Sequence, residues 1–158
     1  STLMRSSAAS DVYKRQVHYA DLVECLPYDD AVYMLKVTGT QLERMIRHIL
    51  RDEAFQGEHT EFYQFSHGTH IVWSRSEQAF RTLTLDGEAL YAERLYTVAV
   101  QKYYYNNLKP FLDITLEEVE KNGKIRVLST SARDVVEEYL TVNQHLSREV
   151  EGRLVVED

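Results

Sequence analysis

Cysteine is almost missing from this 158-residue chain, where Cys25 stands alone. A single cysteine excludes an internal disulfide and gives no CxxC or zinc-knuckle pattern. It does not place the compartment, because exported proteins without disulfides are common. Long hydrophobic runs are missing as well: no stretch approaches the roughly 18 apolar residues that a membrane-spanning helix needs. Excess positive charge is absent. Lys and Arg number 18 against 25 Asp and Glu, for a net charge of −7. That balance argues against a polyanion-binding surface, and so against DNA or RNA as a partner. There is no H-E-x-x-H, no G-x-S-x-G and no glycine-rich phosphate loop, so spacing alone identifies no catalytic residue and no metal ligand. With 44% hydrophobic and 27% charged residues, the composition is that of one ordinary globular domain.

What is present begins with Leu26 to Leu50, LPYDDAVYMLKVTGTQLERMIRHIL. Proline fixes φ and biases its predecessor toward extended geometry, so Leu26-Pro27 resists helix. Ala31 to Val37 alternates like a strand, with Val32, Met34 and Lys36 on one face and Tyr33, Leu35 and Val37 on the other. Thr38-Gly39-Thr40 breaks it, and Thr40 is read as an N-cap with Glu43 closing a capping box. From Leu42 the stripe Leu42, Met45, Ile46, Ile49, Leu50 marks an amphipathic helix. Its polar side carries Arg44, Arg47, His48 and Arg51, either a solvated face with a Glu43–Arg47 pair or a contact to phosphates or a partner domain.

Around this unit, Tyr19 to Glu24 reads as a helical turn and Glu53 to Tyr63 as a loop. Phe65 to Trp73 reads as a strand with a bulge at Gly68. Ala79 to Leu85 alternates Phe80, Thr82 and Thr84 against Arg81, Leu83 and Leu85. Asp86-Gly87 is a hairpin turn, and Leu95 to Gln101 is a further strand. Lys102 to Phe111, KYYYNNLKPF, is irregular. Thr115 to Glu120 predicts a short acidic helix and Lys124 to Leu128 a strand. Ser131 caps a helix whose core face is Val135, Val136, Tyr139 and Leu140, and Arg153 to Val156 closes the chain as a strand. Intermixed strands and helices with hairpin-like turns predict an α+β fold. His67 and His70, with His59 upstream, are either ordinary histidines or, through an irregularity at Gly68, a metal pair.

The L-P-Y, the strand, V-T-G-x-Q-L with its helix, Q-x-S at Gln64 to Ser66, L-x-G-x-x-L at Leu85 to Leu90 and Y-T-V-A at Tyr96 to Ala99 together resemble the C-terminal domain of the 5'-nucleotidase family. The resemblance runs from about Val17 to Val156 and implies a layered α/β/β/α domain with mixed or antiparallel sheets. Residues 1–16 stand outside it: SSAASDVYKRQ resembles a translated sequencing-adapter end, and the segment is expected to be foreign and disordered. The unit 17–158 is then an N-terminally truncated substrate-recognition domain.

What the resemblance implies about function follows. Phosphate ester hydrolysis, by a nucleotide phosphomonoesterase or a cyclic-nucleotide phosphodiesterase, belongs to a metallophosphatase domain N-terminal to this one. That domain holds two divalent metals; this fragment has no cofactor and no catalytic residue, and is inactive alone. The partners implied are a nucleotide or nucleoside and that domain of the same natural chain, in an exported bacterial protein (periplasmic, cell-wall or secreted). The family stacks a base between two aromatic rings, one after a G-G-D-G motif. Phe111 falls on that position, but Asn107, Leu108, Lys109 and Pro110 replace the motif. Val32 stands at the other, with Tyr33 or a residue of Tyr103–Tyr105 as its replacement. Phe111, Tyr104, Tyr105 and Asn107 are thus the candidate substrate-binding residues. The alternative is a packing or dimerisation domain without a nucleoside pocket, told apart by whether these rings meet an open cleft.

Overall fold

The computed structural model describes residues 17–56 and 63–158. The expectation for residues 1–16, and His59, lie outside them. In chain order the elements are α1 (Tyr19–Cys25), β1 (Val32–Thr38), α2 (Gly39–Ile49), a 3-10 turn (Asp52–Phe55), β2 (Thr69–Ser74), β3 (Ala79–Leu85), β4 (Glu88–Ala89) and β5 (Leu95–Gln101). They continue as α3 (Lys102–Asn106), α4 (Leu108–Leu112), α5 (Leu116–Asn122), β6 (Arg126–Ser129), α6 (Ala132–Val142) and β7 (Leu154–Glu157). One sheet is antiparallel with order β5-β1-β6. The other has order β4-β3-β2-β7, its β2–β7 pairing parallel. The architecture is the α+β fold with mixed and antiparallel sheets that the sequence implies.

The apolar stripe of α2 supplies Leu42, Met45, Ile46 and Ile49 to a core shared with Leu35 and Val37 of β1 and with Ile71 and Trp73 of β2. The hinge between β1 and α2 differs from expectation. The cap is Thr38, whose hydroxyl accepts from the Gln41 amide at 3.2 Å while Gln41 Oε1 accepts from the Thr38 amide at 2.8 Å. Two more first-turn amides are taken by a distant loop: Gly39 donates to the Arg94 carbonyl and Thr40 to the Ala92 carbonyl, each at 3.0 Å. The helix therefore starts two residues early, because that loop satisfies donors a capping side chain would otherwise have to reach.

The sheet around Trp73 also departs from simple alternation. Gly68, with φ of 84°, sits in the turn before β2 rather than in a bulge of it. The bulge lies further on, where pairing steps from Val72–Thr82 to Trp73–Phe80. The extra residue on β3 is Arg81, and it shifts Phe80 onto the face of Leu83 and Leu85, all three packed on the core. Asp86 and Gly87 both have positive φ, 51° and 81°, as the tight hairpin turn requires.

Lys102 to Phe111 is more regular than expected, because Asn107 divides it into α3 and α4. In α6 the Ser131 hydroxyl accepts from the Asp134 amide as expected. The same hydroxyl donates to Asp29, which also accepts from the Arg133 amide at 3.1 Å, so the LPYDD segment is tied to that helix end. These donors hold the Asp29 carboxyl below its usual range. The expected core face of α6 is only partly covered, with Val135 48% and Tyr139 44% exposed.

A salt bridge locks α5 onto α2. Arg44 Nη2 donates to Glu118 at 2.6 Å, and Glu118 also accepts from the amide and hydroxyl of Thr115. The guanidinium, then those Thr115 donors, draw the Glu118 pKa down to about 2. The ionised form is favoured in the folded state, so its contribution is complete above about pH 4.3 and is lost as pH falls toward about 2. Glu118→Gln is expected to cost about 1–2 kcal/mol at neutral pH. Melting curves from pH 7 to 2 test this. The gap to wild type should close at the acid end, and a gap independent of pH would assign the loss to packing.

Candidate functional site

The segment after β5 builds the site. Its first amide is held by β1's approach, since Lys102 donates to the Ala31 carbonyl at 2.8 Å. Asn107, with φ of −129° and ψ of 38°, ends α3, and its side-chain amide donates back to the Tyr103 carbonyl at 2.8 Å. Pro110 sits in the first turn of α4, where its missing N–H costs nothing. Among Asn107 to Pro110 none has positive φ. The segment therefore has no conformational need for the glycines that the resembled motif carries there. The turn ends at Asp113, left-handed with φ of 49° and paired with Lys109 and Arg44. Those two cations, the Lys109 hydrogen bond foremost, hold the Asp113 carboxyl below its ordinary range.

This backbone divides the three tyrosines. Tyr103 and Tyr104 pack around Phe111, with ring centroids 5.3 Å and 5.8 Å away, and Tyr63 adds a ring 5.4 Å from Tyr104. Tyr105 turns the other way and lies flat on Tyr33 of β1, with centroids 4.1 Å apart and planes 4° apart. Beside them is a cleft of about 430 Å³, lined by residues 105–110 on one side and 114–116 on the other. Tyr105 and Asn107 line it. Phe111 is half-buried, and it and Tyr104 belong to the aromatic cluster rather than to the cleft lining. Val32 sits half-buried at the start of β1, opposite Gln101 and Ser129.

The other candidates are engaged elsewhere. Arg47 pairs with Glu43 at 2.9 Å and covers the Trp73 and Phe80 rings, so it belongs to the core's rim. His48 Nε2 lies 2.9 Å from the Pro110 carbonyl and braces α4. Arg51 donates to the His48 carbonyl. His67 pairs with Glu151 at 2.9 Å, and His70 is on the exposed face of β2. Among the described residues no three His, Cys, Asp or Glu side chains are grouped to hold a metal ion. With its first amides taken, the N-terminus of α2 has no donors to spare for a phosphate.

Two solved structures share this fold. The 5'-nucleotidase precursor from Thermus thermophilus matches with a TM-score of 0.72 at 16% identity, over 90% of this chain and 28% of that one. A putative 5'-nucleotidase from Staphylococcus aureus matches with a TM-score of 0.58 at 14% identity, over 87% of this chain and 29% of that one. The chain thus spans under a third of either relative. Among curated proteins none matches. The family model described as the 5'-nucleotidase, C-terminal domain matches residues 3–113, most of the sequence. By that match this chain belongs to the 5'-nucleotidase C-terminal domain family.

Proposed function

We propose that this chain is the nucleotide-recognition part of a bacterial, exported, metal-dependent 5'-nucleotidase or related phosphoesterase. The observation that carries the reading is the cleft beside the Tyr33–Tyr105 stack and the Tyr103–Tyr104–Phe111 cluster. A flat π surface with amides and a lysine nearby suits a nucleoside: the base stacks while polar groups meet the sugar. Tyr105, Asn107, Tyr104 and Phe111 are the residues assigned to this role, the first two at the wall and the others as its support. Phosphate ester hydrolysis belongs to a metallophosphatase domain of the natural protein, whose two divalent ions would activate the attacking water. No helix among the described residues is long and apolar enough to cross a membrane.

The test is a titration of the 158-residue chain with adenosine and with ribose 5-phosphate, followed by NMR. Adenosine should bind in the millimolar range with shifts confined to residues 105–116, and ribose 5-phosphate should not. The same protein should release no phosphate from AMP, with or without added Mn²⁺ or Zn²⁺. Absence of any saturable adenosine shift would leave a packing domain as the reading, and metal-dependent hydrolysis would place the chemistry in this chain.

A further inference from the structure

We infer that Asn122 is a site of spontaneous deamidation that the native fold holds in check, through a clasp on the hinge between β1 and α2. Of the chain's four asparagines, Asn106, Asn107, Asn122 and Asn143, only Asn122 precedes a glycine. In the reaction the Gly123 amide nitrogen, having lost its proton to a base, attacks the Asn122 Cγ. The Cγ–Nδ2 bond breaks and the nitrogen leaves as ammonia, taking up a proton in place of the one given away. The ring so closed is a succinimide, and water opens it at either carbonyl to leave aspartate or isoaspartate. A following residue without a Cβ obstructs the ring closure least.

The fold withholds both reacting groups. Asn122 Nδ2 donates to the Lys36 carbonyl at 3.1 Å and to Gln41 Oε1 at 2.6 Å. Both of its N–H bonds are thereby committed to β1 and α2, which fixes the plane of the carboxamide. The nucleophile is held as well, since the Gly123 amide donates to the Glu120 carbonyl at 3.3 Å where α5 ends. That helix is seated by Val119, fully buried, and by the Glu118–Arg44 pair. Ring closure therefore requires the end of α5 to leave the hinge, a local opening that costs free energy. The same contacts reject the product. A carboxylate at position 122 would face the Lys36 carbonyl and Gln41 Oε1, which are both acceptors. Turning the Gln41 amide over would offer it a donor, yet Gln41 Oε1 also accepts from the Thr38 amide at 2.8 Å in the cap of α2. Either arrangement leaves the clasp or the cap unmade, so a converted chain does not close again.

Peptide mapping during incubation in mildly alkaline buffer, natively and in denaturing urea, measures the amide-to-acid conversion at each asparagine. Conversion should concentrate at Asn122 and run at least about tenfold slower in the native protein than in urea. Gln41→Leu removes one of the two acceptors. It should speed native conversion several-fold and leave the rate in urea unchanged, its fold being checked by circular dichroism. Asn122→Asp, which carries the charge of the product, should melt about 5 °C below wild type. The wild-type comparison and Asn122→Asp stand even if Gln41→Leu unfolds. Equal rates at Asn122 in the two conditions would overturn the clasp. Conversion in urea no faster at Asn122 than at Asn106 or Asn107 would overturn the site. An Asn122→Asp protein as stable as wild type would show that the hinge accepts the product, against the inference.

Discussion

Gly39→Ala is expected to destabilise the protein by about 3 kcal/mol or more, lowering Tm by roughly 10 °C. Helix propensity alone predicts the opposite sign, because alanine is favoured over glycine by up to about 1 kcal/mol within a helix. Packing overrides it. A Cβ at Gly39 would stand 2.2 Å from the Tyr91 carbonyl oxygen and 2.9 Å from its carbon. Both are backbone atoms, so no rotamer change relieves the clash. Moving that loop away would also break the bonds from Gly39 to Arg94 and from Thr40 to Ala92, and expose amides of the first turn of α2. Gly87 is the control. It has positive φ but nothing among the described residues within 4 Å of an added Cβ, so Gly87→Ala should cost only about 1 kcal/mol. Equal losses at the two positions in thermal melts would refute close approach as the reason for Gly39.

That glycine also shows what the sequence discloses and what it withholds. The change of period at Val37 to Leu42 is legible, because strand and helix stripes differ locally. The cap is not. Thr38 with Gln41 and Thr40 with Glu43 are both capping-box spacings, and Gly39 between them reads locally as a break. Carbonyls of Ala92 and Arg94, some fifty residues on, decide between them. The β3 bulge is a similar case. Alternation assigns Phe80 to the face of Thr82 and Thr84, whereas one extra residue at Arg81 moves it to the core. In α6 the apolar side is legible, but periodicity reports which side is apolar and not how far a neighbour covers it.

In the site, the aromatic richness of Lys102 to Phe111 is plain from the sequence. Its division is not, since Tyr103, Tyr104 and Tyr105 follow one another around the short helix α3, and which of them lies against Tyr33 depends on how that helix is seated on β1. One local signal does point to the site: Thr115 with Glu118 has capping-box spacing, and that box sits at the cleft's edge. The Arg44 that completes the Glu118 network has no local signal, because the partners are 74 positions apart.

The second large effect belongs to Trp73. Trp73→Ala should cost about 3–5 kcal/mol, because the side chain is wholly buried at 0% exposure and cannot be replaced by inflow of its neighbours. Phe80 meets it edge-on at 4.8 Å, and the Arg47 guanidinium lies 5.5 Å from its ring. That guanidinium is itself fixed by the Gln78 carbonyl at 2.8 Å and Glu43 at 2.9 Å, so it cannot drop into the space vacated. Trp73→Phe should be much milder, below about 2 kcal/mol. Part of the volume stays, and the indole Nε1, buried without a hydrogen-bond partner among the described residues, is removed with its desolvation cost. Urea titrations followed by circular dichroism would measure both, since Trp73 is the chain's one tryptophan and its fluorescence is lost in either variant. An alanine variant as mild as phenylalanine, both below about 2 kcal/mol, would mean that the Trp73 cavity collapses freely and that β2 is not held by this ring. A phenylalanine variant as costly as alanine would mean instead that the indole nitrogen is satisfied in solution, by water reaching it through the Arg47 cover.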